Sequence, residues 1–214
     1  SVSESGDMSF NDIWNAADES EWNRLLRKYW SLVMVDNIQV EIELNKLTPD
    51  RIARMDAESW YAFLHDEYFV WKYTAKNRLA TTRKALARHR ENDELEVLNG
   101  IRLAILKLNH EDIATSLKTA CEVRGLGVAG ASGLLSLLFP HHYSTVDQFV
   151  VKALSAVDQH ADAVRDMNPD SLKVSDGVTL TKIMRAKAAE SNASFDSRFW
   201  TPRTVEMALW AYRA

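Results

Sequence analysis

Cysteine, proline and glycine are all scarce in this sequence. Its 214 residues include one cysteine, four prolines and seven glycines. The single cysteine, Cys121, excludes an internal disulfide and a cluster of cysteine metal ligands, and it fits a reducing compartment. Because glycine and proline disfavour helix interiors, their scarcity favours a largely helical chain. With 46% hydrophobic residues, the chain can bury a sizeable core as one large domain or two closely packed lobes.

Long apolar runs are also missing, and the first residues carry acids where a secretory signal peptide carries bases. We therefore expect a cytoplasmic protein with no membrane partner. Histidine and acidic residues show no metal-ligand spacing, and neither a phosphate-binding Gly-Lys-Ser/Thr loop nor a nucleophile elbow occurs. We expect no metal and no cofactor.

Charge is distributed unevenly along the chain. The formal net charge is −4, which by itself argues against a nucleic-acid partner. However, residues 1–23 carry six acidic side chains and no lysine or arginine, whereas residues 72–90 carry seven lysines and arginines and no acid. The basic segment predicts either a local positive field that attracts nucleic acid or an ordinary solvated helix face.

Apolar residues recur at helical spacing over most of the chain, which predicts an all-α fold. Acidic or capping side chains stand at the start of several of these segments, as is typical of helix N-termini. Between residues 31 and 44 the choice between strand and helix stays open, because 39–44 alternates as a strand does. The predicted helices span 56–71, 81–90, 92–108 with Asn92 as cap, 111–123, and 201–210 with Thr201 as cap and Pro202 first.

Four of the seven glycines lie within residues 125–133, between two apolar helical segments. A short Gly-x-Gly turn before a helix exposes backbone N–H groups that bind phosphate, assisted by the helix dipole. Gly125 and Gly127 fit this use, because a larger side chain would obstruct the approach of a nucleic-acid backbone. A tight crossing of two helices, with Gly130 and Gly133 at the contact, explains some of the same glycines.

After the glycines, Ser-Thr-Val-Asp at 144–147 opens an amphipathic helix. Here the sequence resembles the helix-hairpin-helix DNA glycosylases, the superfamily of endonuclease-III-like and adenine-mismatch glycosylases. Their hairpin reads roughly Leu-Pro-Gly-Val-Gly, followed by an apolar helix and then by Val-Asp or Leu-Asp. In this chain Gly-Leu-Gly at 125–127 matches the hairpin turn, and Val-Asp at 146–147 matches the aspartate motif. The resemblance covers residues 111–155 and implies an all-α, two-lobe fold with double-stranded DNA as partner.

Two departures from the family pattern restrict what the resemblance implies. The bifunctional members place a Schiff-base lysine two residues after the second hairpin glycine, where this chain has Ala129. Many members also hold an iron–sulfur cluster with four cysteines, which one cysteine cannot do. The resemblance therefore implies a monofunctional base-excision enzyme. The alternatives are a non-catalytic helix-hairpin-helix DNA-binding protein and a helical interaction protein with no DNA role.

By the same resemblance, Asp147 is the candidate catalytic residue. Cleavage of an N-glycosidic bond develops positive charge on the sugar, as in the oxocarbenium-like transition state of glycoside hydrolysis. A carboxylate beside C1′ stabilises that charge and orients or deprotonates the attacking water. The alternative role is a helix N-cap, which Asp favours whatever the function. Ser144 or Thr145 offers the cap equally well, which would leave Asp147 free.

Two further groups of residues are predicted to contact DNA. An enzyme of this kind extrudes its base and holds it by stacking and hydrogen bonds, and aromatic residues adjoin the basic segment. The predicted base pocket or wedge consists of Trp71, Tyr73 and Asn77. The predicted DNA-binding residues are Arg124, Gly125, Leu126, Gly127, Ala129, Lys72, Lys76 and Arg78.

The resemblance also implies a division of the chain. We expect one lobe formed from both termini, residues 1–55 with 156–214. The other lobe, 56–155, contains the helix-hairpin-helix at about 111–139 and the aspartate-bearing helix. We expect a monomer, associated with the nucleoid if the source is bacterial.

Overall fold

A computed structural model describes residues 8–33 and 35–213, and this part of the chain forms helices and no β-strand. The all-α fold predicted from the sequence is confirmed. The helices are α1 (Phe10–Trp14), α2 (Ser20–Leu32), α3 (Val35–Asn45), α4 (Pro49–Ala53), α5 (Ala57–Phe63), α6 (Phe69–Lys72), α7 (Lys76–Glu91), α8 (Leu95–Leu106), α9 (Ile113–Cys121), α10 (Val128–Leu138), α11 (Gln148–Ser155), α12 (Ala161–Val164), α13 (Val174–Ser194) and α14 (Pro202–Arg213).

The helix predicted at 56–71 is confirmed, with one irregularity. Asp56 is its cap, and the carboxylate accepts a hydrogen bond from the Ser59 backbone N–H at 2.8 Å. Between α5 and α6 the helix passes through a wider π-helical turn at Leu64–Tyr68. Such turns are rare and occur frequently at functional sites. Here the turn directly precedes Trp71 and Lys72, two of the predicted site residues.

At two positions the structure decides or corrects a sequence-based expectation. The alternating stretch 39–44 lies in α3, because Glu41 and Leu44, three positions apart, share the buried face. Asn92 does not begin a helix but ends α7, and its backbone N–H bonds to the Arg88 carbonyl. Asp93 follows in the left-handed conformation at φ 57°, which interrupts the helix before α8 begins.

The longest helix, α13, has no clear signal in the sequence. Its buried face recurs at helical spacing but includes Gly177, Thr181 and Lys187 beside apolar residues, which weakens the hydrophobic periodicity. A Cβ on Gly177 would lie 2.7 Å from Leu117 Cδ1 and 2.9 Å from Val128 Cγ1. Glycine is therefore needed for α13 to pack closely against α9 and α10.

Two hydrophobic clusters form the interior. The middle cluster comprises buried residues between 44 and 143, and the terminal cluster comprises α1, α2 and buried residues between 146 and 211, together with Val128. The two chain ends meet because α14 packs against α2, α11 and α13. Ile52 lies in the middle cluster and Val150 in the terminal cluster, while the division into lobes at 55 and 156 stays a prediction.

Candidate active site and nucleic-acid interface

A cavity of about 300 Å³ lies beside the start of α11. Its wall draws on both clusters, because Tyr29 belongs to the terminal cluster and Trp71 packs against the middle cluster. The cavity is lined by Tyr29, Leu32, Val33, Asn37, Glu41, Trp71, Lys72, Thr74, Thr145, Asp147, Phe149, Arg203, Glu206 and Trp210. Three predicted site residues, Trp71, Lys72 and Asp147, thus line one space.

Asp147 is both the N-cap of α11 and part of the cavity wall. Its Oδ1 accepts hydrogen bonds from the backbone N–H groups of Phe149 at 3.0 Å and Val150 at 3.2 Å. The alternative role of Asp147 as the helix N-cap is confirmed, and neither Ser144 nor Thr145 supplies the cap. Both of those side chains are buried, two and three residues before the helix cap. Capping therefore orients the Asp147 carboxylate, which also borders the cavity.

Helix α10 positions the segment that leads into α11. The hydroxyl of Ser132 accepts a hydrogen bond from the Val146 backbone N–H at 2.9 Å. One position along, a Cβ on Gly133 would lie 3.4 Å from Thr145 Oγ1 and 3.5 Å from Lys72 Cδ. The glycine-rich helix, the aspartate segment and the cavity lysine therefore meet at one place.

Another part of the cavity wall is a network of polar and charged groups on α2, α3 and α14. Arg203 joins two carboxylates, donating from Nη2 to Glu41 at 3.0 Å and from Nη1 to Glu206 at 2.6 Å. Glu41 also accepts hydrogen bonds from the Tyr29 hydroxyl and the Trp71 indole N–H. The Arg203 guanidinium lies 5.3 Å from the centroid of the Trp71 ring, within cation–π range.

Burial perturbs the ionisation of this network. It raises the pKa of Glu206 to about 7, with a further rise from the charge of Asp147, while Arg203 and Lys72 act in the opposite direction. Burial likewise raises the pKa of Tyr29 well above its ordinary value. Burial alone would lower the pKa of Arg203, but the neighbouring Glu206, Tyr29 and Glu41 raise it, and the guanidinium stays charged.

The hairpin turn between α9 and α10 uses its two glycines differently. Gly125 has φ +101°, and a Cβ there would lie 3.0 Å from the Thr82 carbonyl oxygen of α7. It is needed for the left-handed turn and for packing against α7. Gly127 is exposed, meets no atom within 4 Å of a Cβ position, and is the N-cap of α10 without a side-chain cap. No side chain therefore caps the first N–H groups of α10.

Gly130 and Gly133 serve helix packing. A Cβ on Gly130 would lie 2.5 Å from the Tyr73 hydroxyl, and a Cβ on Gly133 would lie 2.5 Å from the Tyr68 hydroxyl. The Tyr68 hydroxyl also donates a hydrogen bond to the Gly130 carbonyl at 2.5 Å. These two glycines let the side chains of Tyr68 and Tyr73 approach α10, as the alternative of a tight helix contact predicts.

The other predicted DNA-binding residues are spread around the hairpin. Arg124 is half-buried and forms an ion pair with Glu94 at 3.1 Å. Leu126 is buried and Ala129 is partly buried. Lys76 and Arg78 are exposed in the first turn of α7.

Tyr73 and Asn77 do not line the cavity with Trp71. Tyr73 is buried, packs edge-on against Phe69 and lies over Gly130, so it belongs to the core. Asn77 is exposed on α7, beside Arg78. The structure therefore separates the predicted wedge residues into a cavity tryptophan, a core tyrosine and a surface asparagine.

Sequence reasoning missed the polar wall of Tyr29, Glu41, Arg203 and Glu206, which lies outside the segment resembling the glycosylases. One signal was present. Arg203 and Glu206 are charged residues three positions apart within the apolar stripe of the C-terminal helix. Charged groups on a buried helix face need partners. No comparable signal marks Glu41. Because the sequence does not decide between strand and helix at 39–44, it does not show which residues of this segment are buried.

Comparison of the chain with protein-family models, with curated proteins and with solved structures found no match. Within the described residues, no helix has both the length and the apolar content needed to cross a bilayer. Over the same part of the chain, no three His, Cys, Asp or Glu side chains are grouped as metal ligands.

Proposed function

We propose that the protein is a monofunctional DNA N-glycosylase that extrudes a modified or mismatched base from a duplex and releases it. The proposal is carried by one observation. Asp147 and the Trp71–Lys72 pair, 75 residues apart in the chain, line the same cavity. The resemblance at residues 111–155 predicts the aspartate, and the junction of aromatic and basic sequence predicts the pair.

The cavity suits a single extruded base. A volume of about 300 Å³ is at the lower end of the range for small-molecule sites. Its walls include the rings of Trp71, Phe149 and Trp210, on which a base can stack. Polar groups from Thr145 and Glu206 offer hydrogen bonds to the edge of the base.

Asp147 supplies the chemistry in this proposal. Departure of the base leaves positive charge on the sugar, and a carboxylate beside C1′ stabilises that charge. The two cap hydrogen bonds hold Oδ1 toward α11. The carboxylate is therefore oriented before substrate binds, so no reorganisation is needed in the transition state.

The α9–α10 hairpin holds the DNA backbone. No side chain caps the first N–H groups of α10 beside the exposed Gly127, so a phosphate oxygen can accept hydrogen bonds from them. Arg78 is close to the same helix turn, because its guanidinium lies 5.4 Å from the ring of Tyr73, whose hydroxyl touches Gly130. Phosphate contacts of this kind fix the register of the duplex and carry no sequence information.

The test is single-turnover base release from duplexes carrying a panel of lesions and mismatches. We expect the parent protein to release at least one base and to leave an intact abasic strand that breaks only after alkali or heat. Asp147→Asn still caps α11, so stability and DNA affinity should be retained while the rate falls by orders of magnitude. Salt-dependent duplex binding without base release from any substrate would favour the non-catalytic DNA-binding alternative.

The same assay tests the absence of lyase chemistry. Ala129 stands where bifunctional relatives carry a lysine, so borohydride should trap no protein–DNA adduct. Lys72 is the amine that lines the cavity with Asp147. An adduct that is lost in Lys72→Gln would show that Lys72 replaces the missing lysine, and the monofunctional assignment would be wrong.

A further inference from the structure

We propose that the exposed face of α8 is an interaction surface for a second copy of this chain, through which the protein forms a weak symmetric dimer. The two copies of α8 lie antiparallel across a two-fold axis at the middle of the helix. The inference goes beyond the proposed function and does not depend on it, because no residue of α8 lines the cavity.

Helix α8 is apolar on two sides. Its inner side packs into the middle cluster through Leu98, Ile101 and Ile105. Its outer side carries Val97, which is 57% exposed, and Leu103, which is 44% exposed. Within the described residues, Val97 is the most exposed large apolar side chain. Because a surface helix ordinarily turns polar residues outward, the apolar outer side of α8 indicates a partner.

The exposed residues of α8 form one stripe, which spans about 120° around the helix axis at 3.6 residues per turn. Gly100 lies at its centre, between Val97 on one side and Leu103 on the other. A charged residue stands at each end. In chain order, this α8 stripe consists of Glu96, Val97, Gly100, Leu103, Ala104 and Lys107.

Gly100 has no structural use within the described chain. Its Cβ position meets no atom within 4 Å, and its φ is not positive. In contrast, the Cβ positions of the helical glycines Gly130, Gly133 and Gly177 lie 2.5, 2.5 and 2.7 Å from a neighbouring side chain. Glycine destabilises a helix relative to alanine. At the centre of an exposed apolar face, it therefore indicates close approach by a surface outside the chain.

The charges of the α8 stripe select a second copy as that surface. Glu96 and Lys107 are about three turns apart, and neither forms an ion pair within the part of the chain that the structure describes. In an antiparallel pair of α8 helices, Glu96 lies opposite the partner's Lys107 at both ends. In a parallel pair, each charge would lie opposite its own copy, which is unfavourable.

The shape of the stripe fits the same arrangement. The two-fold axis that pairs Glu96 with the partner's Lys107 also places Leu103 opposite the partner's Gly100. A large apolar side chain then fills the notch left by a residue without one, and the contact occurs twice. Such self-complementarity is what a two-fold interface requires.

The size of the stripe limits the affinity. The 12 residues of α8 extend about 18 Å at 1.5 Å per residue. A contact between one such helix and its copy belongs to the small interfaces, so we expect a reversible dimer with a dissociation constant on the order of 10 µM. The monomer expected from the sequence is then the form at low concentration.

The first experiment is sedimentation velocity of the purified chain without DNA, from about 1 to about 300 µM, a range that brackets this dissociation constant. We expect a shift from monomer to dimer. Gly100→Gln fills the notch, so it should weaken the dimer at least tenfold while raising the melting temperature of the dilute monomer. Leu103→Asp should abolish the dimer over this range. Phe199→Asp, which changes a 53% exposed side chain outside the stripe, is the matched control and should leave the dimer unchanged.

The second experiment tests the antiparallel arrangement by exchanging charges. Glu96→Lys and Lys107→Glu should each weaken the dimer about tenfold, because each places like charges opposite one another at both ends. The double variant should restore parental association, and a mixture of the two single variants should form heterodimers. Lys182→Glu, on the exposed side of α13, makes the same charge change outside the stripe and should have no effect.

A parent protein that stays monomeric up to about 300 µM would overturn the inference, whatever else covers this face. So would a dimer that Gly100→Gln and Leu103→Asp leave unchanged, association that continues beyond a dimer, or a double charge variant no stronger than the single ones. If circular dichroism shows that Leu103→Asp does not fold, Gly100→Gln and the charge variants decide the result. Because sedimentation is measured without DNA, failure of the glycosylase proposal would not alter the outcome.

Discussion

The hydroxyl of Ser132 accepts the backbone N–H of Val146 at 2.9 Å, and this bond ties the glycine-rich helix α10 to the residue before Asp147. Ser132 is fully buried, and its hydroxyl donates in turn to the Ala129 carbonyl at 2.9 Å. The position of the Asp147 carboxylate is therefore set by α10 as well as by the hydrogen bonds with which Asp147 caps α11.

Ser132→Ala should impair catalysis more than stability. Leaving the Val146 N–H without its partner costs about 1–3 kcal/mol of unfolding free energy. The displaced Asp147 should lower the single-turnover rate of base release by a larger factor than Ser136→Ala, which removes a local α10 hydrogen bond to the Gly133 carbonyl. Denaturant unfolding and base release are measured on both variants. Equal rates in the two would show that Ser132 has only a structural role.

The two hairpin glycines should respond oppositely to substitution. A Cβ at position 127 meets no atom within 4 Å, so Gly127→Val should fold as the parent does but bind duplex DNA more weakly, because the side chain obstructs phosphate approach. Gly125→Ala forces an L residue into φ +101° against Thr82, and should cost more than about 1 kcal/mol of stability. Circular dichroism and salt-dependent DNA binding separate the two effects. A folded Gly127→Val with parental affinity would refute the phosphate role of this turn.

Trp71 and Tyr73, two residues apart, should also give different results. Base–aromatic stacking is worth about 1–3 kcal/mol, so Trp71→Ala should weaken the signal of a fluorescent base analogue flipped at a lesion. Trp71→Phe keeps a ring and should retain most of that signal. Tyr73→Ala should instead unfold more readily by about 3–5 kcal/mol, the cost of deleting a core aromatic ring. Loss of flipping in a stable Tyr73→Phe would place Tyr73 at the DNA after all.

Stability should fall as the pH drops from 7 to 5. His89 Nε2 accepts the backbone N–H of Arg124 at 2.9 Å, which requires a neutral ring, and burial lowers the pKa of His89. Burial also lowers the pKa of His110, His142 and His160. When the pKa of a histidine is lower in the folded than in the unfolded protein, the contribution of its neutral ring to the free energy of unfolding is complete at pH values above the unfolded-state pKa. That contribution is lost as the pH falls through the folded-state pKa.

His89→Gln offers an acceptor that does not ionise and should reduce this pH dependence. The exposed His141→Gln controls for removal of a histidine. Unfolding free energies of the three proteins are compared at pH 7 and pH 5. An identical fall in parent and His89→Gln would show that the hairpin does not depend on neutral His89.

The structural features that depend only on residues close together in the chain could be predicted from the sequence. The cap at Asp56 and the start of α14 at Thr201 and Pro202 are short-range signals, because a capping side chain bonds to N–H groups two or three residues away. The prediction that Asn92 caps a helix is wrong for a local reason as well, because the left-handed residue Asp93 separates Asn92 from α8. In α13, buried polar and small residues concealed a helix that packing stabilises.

The sequence by itself determined the helical class, the hairpin turn with its glycines, and Asp147 at the head of α11, because each depends on spacing within a few helical turns. Only the tertiary structure decided that Asp147 shares a cavity with Glu206, that Arg203 links Glu206 to Glu41, and that Tyr73 belongs to the core. These relationships join residues far apart in the chain, and they arise from the packing of separate helices against one another. No local pattern encodes which buried charges that packing brings together.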